Sequence, residues 1–139
     1  MKKFKNIVLL TLVAVVFSVC TTQTTSSNPI DKAEEECISG TSSTYKMNRC
    51  SQIAQKKWEQ EIQNSLDTLK KLLPEVDYTA IEKSQQVWNE YKIAEYELID
   101  RIISYKQGTM YLNVKEGLKT DILKQRALKL QEYINIYTD

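Results

Sequence analysis

The chain contains no histidine. That removes the usual neutral-pH general base, the Ser-His and Cys-His nucleophile pairs and every imidazole metal ligand. No CxxC pair, Gly-rich phosphate loop or calcium-loop pattern occurs either. Only three glycines and two prolines interrupt 139 residues, and no stretch alternates apolar and polar side chains long enough for a strand. Most hydrolase mechanisms are thereby excluded, no metal site or cofactor is expected, and an all-α domain is.

Charge of one sign is also scarce. There are 19 basic and 18 acidic residues, and three of the lysines fall in the first five positions. Without those three the balance is about −2, with no clustered basic face of the kind a nucleic-acid binder presents.

Lys2, Lys3 and Lys5 precede an apolar run from Ile7 to Phe17 interrupted by Thr11. The run is well short of the roughly 20 residues a membrane span needs. A basic n-region followed by a short h-region is the layout of a secretion signal. Residues 1–19 are therefore expected to be a signal peptide. Cys20 follows the apolar core directly, as in a bacterial lipobox, although Val19 stands where Gly, Ala or Ser is usual. The alternative is ordinary cleavage after Ser18, which leaves Cys20 a spare thiol and the product soluble in the periplasm or secreted. Cysteine arithmetic favours lipidation of Cys20. Three cysteines are an odd number for an oxidising compartment, and acylating one leaves Cys37 and Cys50 as a pair. Residues 20–29 then read as a Ser/Thr-rich tether. Residues 30–139 form one domain, large enough for a single core.

Within that domain a short helix is predicted from an Asn28 N-cap and Pro29 to about Gly40. A long second helix carries Met47, Cys50, Ala54, Trp58, Ile62, Leu66, Leu69 and Leu73 as one stripe and ends at Pro74. A third opens near Asp77, with Ile81, Val87, Trp88, Tyr91, Leu98 and Ile102 as its expected buried side, and closes at Gly108. The fourth follows Thr109, with Tyr111, Val114, Leu118, Leu123, Ala127, Leu130, Ile134 and Tyr137 at helical spacing and a possible break at Gly117. Three long helices with short connections predict a small antiparallel bundle, with the short helix packed across one end. A Cys37–Cys50 disulfide would staple it; closing that loop contributes on the order of 3 kcal/mol in the chain-entropy account.

Carboxylates such as Glu34, Glu35, Glu36, Glu59, Glu61 and Glu95 are the residue type that pairs for acid–base glycan hydrolysis. Their helix-surface spacing among Lys and Gln instead predicts solvated faces. Trp58, Trp88 and Tyr91 lie on the expected core stripes and read as packing residues, whereas Tyr45, Tyr78 and Tyr133 are freer to face a partner.

Three blocks resemble the N-terminal domain of the lysozyme inhibitor LprI family. Cys37 followed by TYKMNRCS is similar to the family's Thr-x-x-Met-Asn-x-Cys segment and supplies Met47 and Asn48. EQEIQNSLDTL resembles Asp-x-Glu-Leu-Asn-x-x-Tyr, with Glu59 and Glu61 in place and Leu66 replacing the tyrosine. IEKSQQVWNEYK resembles Leu-x-x-x-Gln-x-x-Trp-x-x-Tyr-Arg, filled by Ile81, Gln85, Trp88, Tyr91 and Lys92. Gly108, Thr109, Arg126 and Leu130 match later positions. Tyr96 stands where many members carry a further cysteine, and Lys92 lacks the planar fork of the family's arginine.

The resemblance implies an extracytoplasmic helical domain whose signature positions are mostly structural and which, in the founding branch, inhibits lysozyme. The expected function is a non-enzymatic cell-envelope binder with a protein partner, lysozyme or a related cell-wall hydrolase, whose cleft it occludes. Its membrane contact is expected through Cys20, at the periplasmic or cell-surface side. Glu34, Glu35, Glu36 and Tyr45 form the candidate partner surface. An envelope scaffold without lysozyme inhibition is the alternative.

Overall fold

The computed structural model describes residues 28–139; the expected signal peptide, Cys20 and the tether up to residue 27 lie outside the described residues. Four helices follow in chain order: α1 (Pro29–Ser39), α2 (Thr44–Leu72), α3 (Glu75–Ser104) and α4 (Met110–Thr138). No strand occurs among the described residues. The fold is the expected all-α bundle of one short and three long helices.

The local signals act as read. The Asn28 side chain accepts from the Ile30 amide at 2.9 Å, and Pro29 occupies the first turn, where its missing N–H costs nothing. These two residues thus belong to α1 rather than to the tether. Pro74 separates α2 from α3, but α3 begins at Glu75, two residues before the expected start, because Pro74 itself serves as N-cap. Gly108 adopts φ 101, a left-handed conformation that lets the chain turn sharply from α3 into α4. Gly117 does not break α4, which is continuous through it.

Consecutive long helices run in opposite directions, so α2 and α4 run parallel. Thr44 meets Thr109, Asn113 reaches Met47, Gln55 reaches Glu116, and Gln131 reaches Glu61. These two helices form the principal packing pair. The fully developed core is their shared seam: Trp58, Ile62, Leu66 and Leu69 against Leu123, Ala127 and Leu130. The α2 stripe was read correctly, with Met47 and Leu73 half-buried at its ends.

On α3 the expected buried side is corrected. Val87, Tyr91, Leu98 and Ile102 are 58, 50, 48 and 51% exposed, and Ile99 is the one buried residue of this helix. The inward face is instead Tyr78, Ile81, Gln85, Trp88, Lys92, Tyr96, Ile99 and Ile103, which recurs at helical spacing but mixes apolar and polar side chains. On α4, Val114, Leu118 and Tyr137 are exposed, whereas Glu116, Thr120 and Arg126 are buried. Their polar groups are satisfied across the bundle. The Gln55 amide donates to the Glu116 carboxylate (3.0 Å) and carbonyl (3.1 Å), and the Thr120 hydroxyl donates to that same carbonyl at 2.9 Å.

Helix α1 lies alongside the first part of α2 rather than across an end. Its residues Ile30 to Cys37 line one shallow cleft with Cys50 to Lys57, and Ile30 reaches the core. The Cys37–Cys50 disulfide bridges the two helices, their Cα atoms 5.8 Å apart. Asp31 pairs with Lys124 of α4 at 2.7 Å, so α1 is also held by the third long helix.

Candidate functional site

The residues singled out in the sequence divide into two regions. The first is the elbow between α1 and α2. The Thr41 hydroxyl accepts from the Ser43 amide at 3.2 Å, the Gly40 amide returns to the Glu36 carbonyl, and the disulfide closes the base. Backbone and covalent bonds together fix the elbow's shape, so a partner would meet a preformed surface. Tyr45 projects from it, 72% exposed. An open concavity beside it is lined by Cys37, Gly40, Thr41, Tyr45, Lys46, Arg49 and Ile53.

Glu35 and Glu36 stand exposed on α1, Glu36 in a loose surface pair with Lys32 at 3.9 Å. Such exposed pairs contribute little to stability. Glu34 is half-buried at the cleft between α1 and α2, which sets it apart from its two neighbours. Lys46 and Arg49, absent from the sequence expectation, make the elbow mixed in charge rather than purely acidic. Met47 and Asn48 lie just behind it, half-buried, where the Asn113 amide contacts the Met47 sulfur at 3.3 Å.

The second region joins α3 to α4. Arg126 is buried; it donates through Nε to the Gln85 side-chain Oε1 at 2.9 Å and through Nη2 to the Ser84 hydroxyl at 3.3 Å. Its guanidinium lies 5.7 Å from the Trp88 ring centre, and the Lys92 ammonium lies 5.2 Å from that ring. Among the described residues no carboxylate pairs with Arg126. Burial therefore holds its guanidinium below the usual arginine range. Lys92 keeps the contact with Trp88 that a cation can make, which offsets part of what the missing guanidinium fork would supply.

Glu59 borders the adjoining α2–α3 groove with Gln85, Trp88 and Lys92. Glu61 accepts from Gln131 of α4 at 3.3 Å. Tyr91, expected in the core, instead faces a groove with Trp88, Ile122, Gln125, Arg126 and Lys129. Of the freer tyrosines, Tyr78 packs against the core and Tyr133 is exposed.

A further contact between α3 and α4 is made by Tyr96. Its hydroxyl donates to the Lys119 carbonyl at 3.3 Å, and the Lys119 ammonium sits 5.0 Å from its ring. Desolvation first, and then Glu59 and Glu116, raise the Tyr96 phenol from 10.0 to about 12. Lys119 also meets both oxygens of Asp100, at 2.8 and 3.0 Å, and this hydrogen bond is the main reason that carboxyl is held below its usual range. Tyr96 thus joins α3 to α4. Sequence reading identified the substitution but not its hydrogen bond.

Among the described residues no group of side chains could hold a metal ion, and no helix is long and apolar enough to cross a membrane. The described residues define a disulfide-stapled helical bundle with a rigid exposed elbow, whose conspicuous polar side chains lock helix to helix. Residues 36–130 match the profile described as lysozyme inhibitor LprI, and the chain belongs to that family. No curated protein matches the chain. A solved structure of an uncharacterised protein from Burkholderia thailandensis is similar, with 26% identity and a TM-score of 0.74. The match covers 81% of this chain and spans 56% of that longer one.

Proposed function

We propose that this chain is an exported cell-envelope binding protein that blocks lysozyme, or a related cell-wall hydrolase, by covering its cleft. Membership of the lysozyme inhibitor family carries the reading. The contact surface is the elbow, with Tyr45, Glu35 and Glu36 as its reaching side chains and Glu34 supporting them from the α1–α2 cleft. A rigid exposed tyrosine flanked by carboxylates suits a basic enzyme surface, and occlusion needs no catalytic group. The signature positions Met47, Glu61, Gln85 and Arg126 act by holding the helices, Asn48 lies half-buried behind the elbow, and Glu59, Trp88, Tyr91 and Lys92 border grooves. A lipid on Cys20 and the tether of residues 20–27 keep the domain at the periplasmic or cell surface.

The test is residual lysozyme activity against the purified mature protein. Inhibition is expected, and Tyr45→Ala or the Glu35→Lys/Glu36→Lys pair should weaken it at least tenfold without changing the helical circular dichroism. No inhibition at large molar excess, across chicken-type and bacterial enzymes, would refute the inhibitor reading and leave an envelope scaffold. That second reading is favoured by the exposed apolar face of α3. Intact mass of membrane-extracted protein should carry a diacyl or triacyl group on Cys20; a mature N-terminus at Val19 would refute the anchor.

A further inference from the structure

Helix α3 carries two stripes, and the more apolar of them faces outward. Val76, Ala80, Ser84, Val87, Tyr91, Ala94, Leu98, Ile102 and Tyr105 recur every three or four residues over 30 residues of helix, with no charge among them. This is the seam pattern of a helix that pairs with another helix. The bundle meets it at its edge, where the Ser84 hydroxyl accepts from Arg126 at 3.3 Å. The stripe borders the α3–α4 groove at Tyr91 and Ile122, whereas α1 lies against α2 and reaches Lys124 of α4. It is thus separate from the elbow.

We infer that this face binds a second copy of the chain, with the two α3 helices antiparallel about a two-fold axis near residues 89 and 90. Three observations choose that occupant. The exposed parts of Val87, Tyr91, Leu98, Ile102 and Tyr105, with Leu118 and Ile122 of α4, amount to on the order of 700 Å² per chain. A standard stable interface needs about 800 Å² from each partner, and a monomer rarely exposes so much apolar surface in one patch.

In this register bulky side chains meet smaller ones. Leu98 opposes the partner's Ala80 and Tyr91 the partner's Val87, as interdigitating layers require, with the small pair of Ala94 and the partner's Ser84 between them. The third observation is charge. Lys83 and Glu97 border the stripe, are exposed, and make no ion pair among the described residues. The register sets Lys83 of one copy beside Glu97 of the partner subunit, twice by symmetry. It also brings the two copies of Glu90 close to the axis, which opposes association.

The inference is independent of lysozyme inhibition, because the stripe and the elbow are different surfaces. Sedimentation equilibrium of the mature protein, with Cys20→Ser to prevent a thiol-linked pair, should give a dimer at micromolar concentration. Leu98→Glu and Val87→Glu, both at exposed positions, should give monomers with unchanged helical circular dichroism. Lys83→Glu should weaken dimerisation at least tenfold, adding Glu97→Lys should restore it, and Glu90→Gln should tighten it. A monomer at 100 μM overturns the inference, as does a dimer indifferent to Leu98→Glu. Failure of the charge swap to restore association overturns the antiparallel register.

Discussion

Removing Arg126 tests whether α3 depends on one buried cation for its attachment. The guanidinium donates to Gln85 and Ser84 and stacks on Trp88. A hydrogen bond from a charged donor contributes about 1.5–3 kcal/mol, the longer Ser84 contact less, and the stacking about 0.5–1 kcal/mol. Against these stands the cost of burying a charge that no carboxylate neutralises, several kcal/mol in general. The side chain's methylenes add about 0.8 kcal/mol each by excluding water.

Arg126→Ala loses the contacts and the packing together and should cost about 2–3 kcal/mol. Arg126→Met keeps the packing and relieves the desolvation, so its cost should be about 1 kcal/mol or less. Urea unfolding separates the two, because at a slope of about 1–3 kcal/mol per molar the alanine variant's midpoint falls by roughly 1 M. Hydrogen exchange locates the effect: protection in Arg126→Ala should fall across residues 78–92 and persist near Ile99, which Tyr96 and Asp100 hold independently. Equal losses in the two variants, or a uniform loss of protection, would refute the idea of a locally locked helix.

Other outcomes follow from single features. Replacing Cys37 or Cys50 with Ser should cost on the order of 3 kcal/mol and release α1; an unchanged melting temperature would mean that the pair is not bonded. Gly117→Ala should stabilise α4 by about 0.5–1 kcal/mol, because an added Cβ meets nothing within 4 Å in a helical interior, and any loss of thermal stability would contradict this. The Tyr96 phenol ionises at higher pH in the folded chain than the ordinary 10.0, so its contribution is intact below pH 10 and lost as pH rises to about 12. Tyr96→Phe should remove that limb of the alkaline unfolding curve. An unaltered limb would place the effect on another group.

How far the sequence could be read depended on which physical signal each helix carries. Helix α2 was legible because its apolar stripe is the inward one, although Ser51 and Ser65 are buried beside it and Gln55 reaches inward to α4. Helix α3 misled for a specific reason. Periodicity reveals that an apolar stripe exists, not that it is buried, and here the stripe with Gln85 and Lys92 in it is the one that packs. The interior of α4 was obscured by Glu116, Thr120 and Arg126, whose burial depends on Gln55, Gln85 and Ser84 arriving from other helices. Spacing along one helix cannot encode such cross-helix satisfaction. At the elbow, the exposure of Tyr45 and the disulfide were foreseeable, but the withdrawal of Glu34 into the α1–α2 cleft and the presence of Lys46 and Arg49 required coordinates.

The parallel pairing of α2 with α4 has a kinetic consequence. The helices that share the core are not chain neighbours; Leu69 and Leu123, both in the seam, are separated by the whole of α3. Their meeting must close a loop of more than fifty residues before the largest hydrophobic gain is realised. The domain should therefore fold more slowly than an α-helical hairpin of equal length, with α1 and α2 organising first around their local contacts. If α3 were to loosen after assembly, the seam between α2 and α4 would still be closed.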